Sequence, residues 1–147
     1  MNRDRHSTLA LFYCQNVPQS SEAHRQDLEH EYGPRLHLFP IPCSGRLEPV
    51  HLLRALEEFA DLAYVVTCPE GACRYFEGNL RARRRVEQAQ KVLFQIGLEP
   101  ERVGIRVGSA AGGKGLAQWV KEILDQTAPV GPSPVHGRNQ VAGQSAR

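Results

Sequence analysis

The sequence predicts a three-layer α/β domain with a mainly parallel sheet of about four strands and helices on both faces. Three observations lead there. Four short apolar runs, beginning at Leu9, Leu36, Leu62 and Val103, have the length and composition of buried strands. Segments with apolar residues at helical spacing lie between and after them, and strands that alternate with helices build parallel sheets covered on both faces. The chain of 147 residues, 41 % hydrophobic and 23 % charged, is long enough to bury a core without disulfides.

The first strand is expected at Leu9 to Tyr13. The polar stretch that follows, "PQSSEAHRQDLEHEYG", reads as a short or irregular helix. The second strand is Leu36-His37-Leu38-Phe39-Pro40-Ile41. After Pro49, which suits a first helical turn, Leu52, Leu53, Leu56 and Phe59 recur at helical spacing. The third strand is Leu62 to Val66. Ala82, Val86, Ala89, Leu93 and Ile96 then form a long stripe stopped by Gly97, with Asn79 as the expected N-cap. The fourth strand is Val103 to Val107, and Leu116, Trp119, Val120, Ile123 and Leu124 make the last helical stripe, with Trp119 in the core. The domain is expected to span residues 9–127. From residue 128 to 147 the chain is rich in Pro, Gly and polar residues, which predicts a disordered tail.

Composition also excludes function classes. A formal net charge of +2 gives no general affinity for nucleic acid. The run Arg81, Arg83, Arg84, Arg85 has no interleaved aromatic residue, so a solvated or partner-facing surface is expected there. No apolar run approaches the roughly 18 residues of a membrane span, and the start lacks the features of a signal peptide, so a cytoplasmic protein is expected. "GSAAGGKGLAQ" lacks the spacing of a phosphate loop and the Ser or Thr after Lys114, and reads as a strand-to-helix turn.

The four cysteines carry the chemistry. In a reducing compartment they favour metal or redox roles over structural disulfides, with buried, inert thiols as the plain alternative. Cys14 follows the first strand, Cys43 the second and Cys68 the third; Cys73 returns to the same edge through a loop containing Gly71. In parallel sheets ligands sit beyond the carboxyl ends of the strands, so four thiols on that rim look like the ligands of one metal centre. Both an iron–sulfur cluster and structural zinc accept four thiolates. Zinc sites use two close pairs, whereas only Cys68 and Cys73 are close here, which favours a cluster over zinc. His24, His30 and His37 are tied to no cysteine by a motif.

The blocks "FYCQN", "PCSGRLEP", "CPEGACRYFEGN" and "RRRVEQAQKVLFQIGLEPERVGIRVGSA", in that order, resemble the delta subunit family of methyl-viologen-reducing hydrogenase from roughly Leu9 to Pro132. The resemblance implies a [2Fe–2S] cluster held by Cys14, Cys43, Cys68 and Cys73. It also implies an electron-transfer subunit, not an enzyme by itself, that relays electrons between a hydrogenase or formate dehydrogenase module and a heterodisulfide-reductase-A-like flavoprotein. The alternative is a cluster-free or zinc-bearing structural subunit of such a complex. Neither nucleic-acid binding nor membrane insertion is expected. Ser44, Arg46, Glu70 and Arg74 flank the thiols and are the expected partner interface. Two departures stand out. The family's second cysteine, three residues after the first, is Val17 here, and its "CHPGDCHY" reads "CPEGACRY".

Overall fold

The four apolar runs are four strands: β1 (Leu9–Cys14), β2 (Leu36–Ile41), β3 (Leu62–Thr67) and β4 (Val103–Val107). The computed structural model describes residues 7–14, 17–41, 47–67, 78–107 and 114–135. The strands form one sheet in the order β2-β1-β3-β4, and every neighbouring pair is parallel. This is the order of the first four strands of a flavodoxin-like doubly wound sheet. All six residues of β3 are buried, as a central parallel strand requires.

Side-chain alternation sorts the core into two layers. Leu9, Leu11 and Tyr13 of β1 join Leu36, Leu38, Leu62, Tyr64 and Val66 beneath α1 (Glu22–Tyr32) and α4 (Leu116–Gln126). Ala10, Ala63, Val65 and Val103 face the other way, beneath α2 (Pro49–Glu58) and α3 (Gly78–Gln95). The expected three-layer architecture is therefore the observed one.

Local chemistry sets the helix ends. The Ser21 hydroxyl accepts from the His24 amide at 3.3 Å, and Gly33, at φ 63°, closes α1. The polar segment is thus a regular helix of 11 residues whose one buried residue is Leu28, so capping and its ion pairs replace the apolar stripe that sequence periodicity looks for. In α2 the Glu48 and His51 side chains cap each other's backbone amides and Pro49 takes the first turn. At the end of α3 the Leu98 amide donates to Leu93 O at 2.8 Å around Gly97, at φ 86°. That cap lifts Ile96 off the core: it is 64 % exposed, and the stripe ends at Leu93. Asn79 falls inside α3, which starts at Gly78, and not at its N-cap.

Both sheet edges are blunted. On β2, Leu36 N–H donates to Gly33 O, Leu38 N–H donates to the Glu29 carboxylate at 2.9 Å, and Pro40 has no N–H to offer. On β4, Val103 O accepts from the Gln90 amide at 2.8 Å and Ile105 O from the Arg106 guanidinium at 3.0 Å.

At the amino edge of the sheet a buried polar hub joins distant segments. Arg102, 1 % exposed, donates to Asp61 O at 3.1 Å, Gly131 O at 2.9 Å, Pro132 O at 3.1 Å and the Glu99 carboxylate at 2.8 Å. The Asp61 carboxylate accepts from Thr8 N–H at 2.8 Å and Ser133 N–H at 2.7 Å. Residues 128–135, expected in the tail, therefore pack onto the domain: a 3-10 turn covers Ala128–Val130, and Ser133 is buried. These residues have little to bury and are held instead by backbone hydrogen bonds to two buried charged side chains. Residues 136–147 lie outside the described residues.

Candidate metal centre at the carboxyl edge of the sheet

The register brings the carboxyl ends of three strands level. Cys14 pairs with Ile41, the last residue of β2, and Tyr13 pairs with Val66, one residue before the end of β3. The chain leaves β1 towards β2 on one side while β3 lies on the other, so Cys14 stands at the topological switch point, where doubly wound sheets bind ligands.

Cys14 is 3 % exposed, forms no disulfide, and belongs to the core cluster that includes Val17, Leu116 and Trp119. The turn after it is tight. Val17 N–H donates to Cys14 O at 3.0 Å, and the Ser20 hydroxyl donates to Val17 O at 2.5 Å. Leu116 N–H donates to Pro18 O at 3.0 Å, which fastens the start of α4 onto this turn. Val17 is 4 % exposed, so its side chain is a packing element. Burial pushes the neighbouring Tyr13 phenol above its ordinary pKa, which keeps the ring neutral.

Cys14 is the one predicted ligand among the described residues. Cys43, with Ser44 and Arg46, and Cys68 and Cys73, with Glu70 and Arg74, lie outside them. Among the described residues no three His, Cys, Asp or Glu side chains converge. Two of the histidines are engaged elsewhere. His24 Nδ1 lies 2.7 Å from the Ser21 hydroxyl, and His37 packs edge-on to Phe59 with ring centroids 4.8 Å apart.

Two cations have contacts that were unreadable from sequence. Arg85 belongs to the run expected at the surface, yet it donates to Leu47 O at 2.8 Å and lies 3.4 Å from the Glu48 carboxylate, pinning the approach to α2. Lys114 turns back onto α4, 2.8 Å from the Glu122 carboxylate and 4.7 Å from the centre of the Trp119 ring. Residues 108–113 of the expected strand-to-helix turn lie outside the described residues. Each contact joins residues that no local sequence pattern pairs.

A family model described as "Methyl-viologen-reducing hydrogenase, delta subunit" matches residues 9–131. The chain belongs to this family. The span of the family runs from β1 to the turn after α4, and so includes part of the segment held by Arg102. Among similar proteins is the vhu iron-sulfur subunit of the F420-non-reducing hydrogenase of Methanopyrus kandleri, 36 % identical over 69 % of this chain and 77 % of that one. The corresponding F420-non-reducing hydrogenase iron-sulfur subunit of Archaeoglobus profundus is 37 % identical over 71 % of this chain and 77 % of its own length. The A subunit of the ferredoxin:CoB-CoM heterodisulfide reductase of Methanosarcina mazei is 30 % identical over 69 % of this chain, but the match covers only 13 % of that protein. Similar sequences thus occur both as small separate chains and as a stretch within a much larger one. No helix among the described residues is long and apolar enough to cross a membrane.

Proposed function

We propose that the chain is an electron-transfer subunit that holds a [2Fe–2S] cluster on Cys14, Cys43, Cys68 and Cys73. In this reading it relays electrons between a hydrogenase or formate dehydrogenase module and a heterodisulfide-reductase-A-like flavoprotein, in the cytoplasm. The observation that carries the proposal is the position of Cys14: a buried thiol outside any disulfide, at the switch point of a parallel sheet, in a chain whose relatives are named iron-sulfur subunits.

The ligand set rests on sequence adjacency: Cys68 directly follows Thr67, the last residue of β3, and Cys43 follows Ile41, the last residue of β2, by two residues. Four thiolates are the number a cluster needs, and Val17, a core residue here, is not required among them. Bound, such a cluster takes up and releases single electrons. Cys14, Cys43, Cys68 and Cys73 would hold it, and the apolar packing of Val17, Leu116 and Trp119 with Cys14 would keep water from that ligand and so tune the potential. Ser44, Arg46, Glu70 and Arg74 flank the thiols in sequence and are the proposed partner contacts, where charge selects the partner and speeds association.

The test is anaerobic purification followed by iron and sulfide analysis. A coloured protein with equal iron and sulfide, lost in Cys14→Ser, Cys68→Ser and Cys73→Ser, is expected. A colourless protein with one equivalent of zinc, or unchanged iron in any of these variants, overturns the assignment. Arg46→Glu and Arg74→Glu should weaken binding to the purified flavoprotein with the cluster spectrum intact, whereas Lys121→Glu, exposed on α4, should not.

A further inference from the structure

Large apolar side chains exposed among the described residues are gathered on one helix. Leu80 (47 %), Val92 (38 %) and Phe94 (74 %) lie on α3, Ile96 (64 %) directly follows it, and only Val50 lies elsewhere. Single exposed apolar residues need no explanation, but a group on one element does. At helical spacing Leu80, Arg83, Glu87, Lys91 and Phe94 share one flank of α3, turned away from the core residues Ala82, Val86, Ala89 and Leu93. A shallow groove of about 390 Å³ opens beside Phe94, lined by Glu87, Gln90, Lys91, Phe94, Gln95 and Pro100.

The charge of this helix is as uneven as its exposure. It carries Arg81, Arg83, Arg84, Arg85 and Lys91 against the single carboxylate of Glu87, and its first turn has no acidic residue. The four arginines fall in its amino-terminal half, where the helix dipole is already positive, so the arrangement opposes helix stability. A sequence that breaks a local rule in this way is usually serving something other than folding. Arg85 is engaged with Leu47 and Glu48. Arg83, Arg84 and Lys91 are exposed and form no ion pair among the described residues.

We propose that this flank of α3 is a docking surface for a protein partner whose own face is acidic around an apolar socket. The socket takes Phe94 against Pro100, and carboxylates meet Arg83, Arg84 and Lys91. An aromatic anchor in a desolvated pocket, with charged contacts farther out at the rim, is the usual anatomy of a protein interface. Nucleic acid fits less well, because Phe94 lies about 16 Å along the helix from Arg83 and cannot serve the arginines as a stacking platform. A second copy of this chain fits less well too, since it would set one basic helix against another. Phe94 is about 21 Å along α3 from Leu80. The flank therefore gives the chain a long contact area on one helix. The proposal does not depend on the metal.

The test places a photo-activatable amino acid at position 94 of the full chain, produced in its native cells and purified as the assembly it forms. Irradiation should join it to a different polypeptide through a peptide rich in Asp and Glu. Arg83→Glu with Arg84→Glu should abolish the adduct and, in binding measurements with that polypeptide once purified, weaken the Kd about tenfold or more, as should Phe94→Ser. Raised salt should weaken the wild type in the same direction. Far-ultraviolet circular dichroism should show these surface variants folded. No adduct, an adduct to a second copy, a nuclease-sensitive adduct, or an adduct indifferent to charge reversal overturns the proposal. A colourless protein that still cross-links at 94 would overturn the cluster and leave the docking surface standing.

Discussion

Arg102 and Asp61 show how much two buried side chains hold together. The guanidinium donates and the carboxylate accepts across four separate segments, around Thr8, Asp61, Glu99 and residues 131–133, so removing either leaves buried partners unsatisfied. Arg102→Met should cost roughly 3–5 kcal/mol in denaturant unfolding, the usual penalty for breaking such a buried network, and the double variant with Asp61→Asn should cost less than the sum of the two. Tyr64 gives a pH-dependent prediction. Burial pushes its phenol above the ordinary value, with Arg106 opposing, and its hydroxyl donates to Glu101 O at 2.6 Å. A folded pKa raised above the unfolded one adds stability that is present below about pH 10 and lost as pH rises from there towards the folded value. Tyr64→Phe should therefore lose about 1 kcal/mol at neutral pH and show a flatter decline in melting temperature above about pH 10. Gly104 lies beside the same ring, and a Cβ there would sit 2.3 Å from Tyr64 Cε2. Because the Tyr64 hydroxyl is tied down, the ring cannot swing clear, and Gly104→Ala should destabilise the protein by roughly 1–3 kcal/mol.

Among the elements, the segment after α4 changes most between expectation and structure. Its backbone carbonyls at 131 and 132 accept from Arg102 and its Ser133 amide donates to Asp61, so it behaves as a strap across the amino edge of the sheet. Ending the chain at residue 127 should strip these partners from a buried cation and carboxylate and lower the melting temperature by roughly 2–4 °C for each kcal/mol lost. Ending it at residue 135 should keep them and leave the melting temperature near that of the full chain. Calorimetry on the two truncations separates the strap from residues 136–147; equal melting temperatures would show that the hub does not need it. The strands, by contrast, were legible to within one residue, because each is a short apolar run whose burial follows from composition alone.

At the scale of the whole molecule, the two core layers meet on β1 and β3 and are built from the chain's own side chains. Loss of the proposed cluster on exposure to air should therefore preserve the far-ultraviolet spectrum of an α/β protein. It should lower the melting temperature by an amount that reflects the lost binding energy. Collapse of the far-ultraviolet signal along with the iron would show instead that folding depends on the metal.

The amino-acid order alone specifies the α/β class, the four strands, three of the four helices and the family, since each is written in local periodicity or in ordered short motifs. It also placed Cys14 at a strand end on the ligand-binding edge. The strand order that makes this edge a switch point, the engagement of Arg85 and Lys114, the exposure of Ile96 and the fastening of residues 128–135 arise instead from how the folded elements pack. Several of these depend on contacts between groups up to 72 positions apart, as between Ser133 and Asp61. Periodicity reports which face of an element is apolar, and it carries no information about which distant backbone amide will satisfy a buried charge.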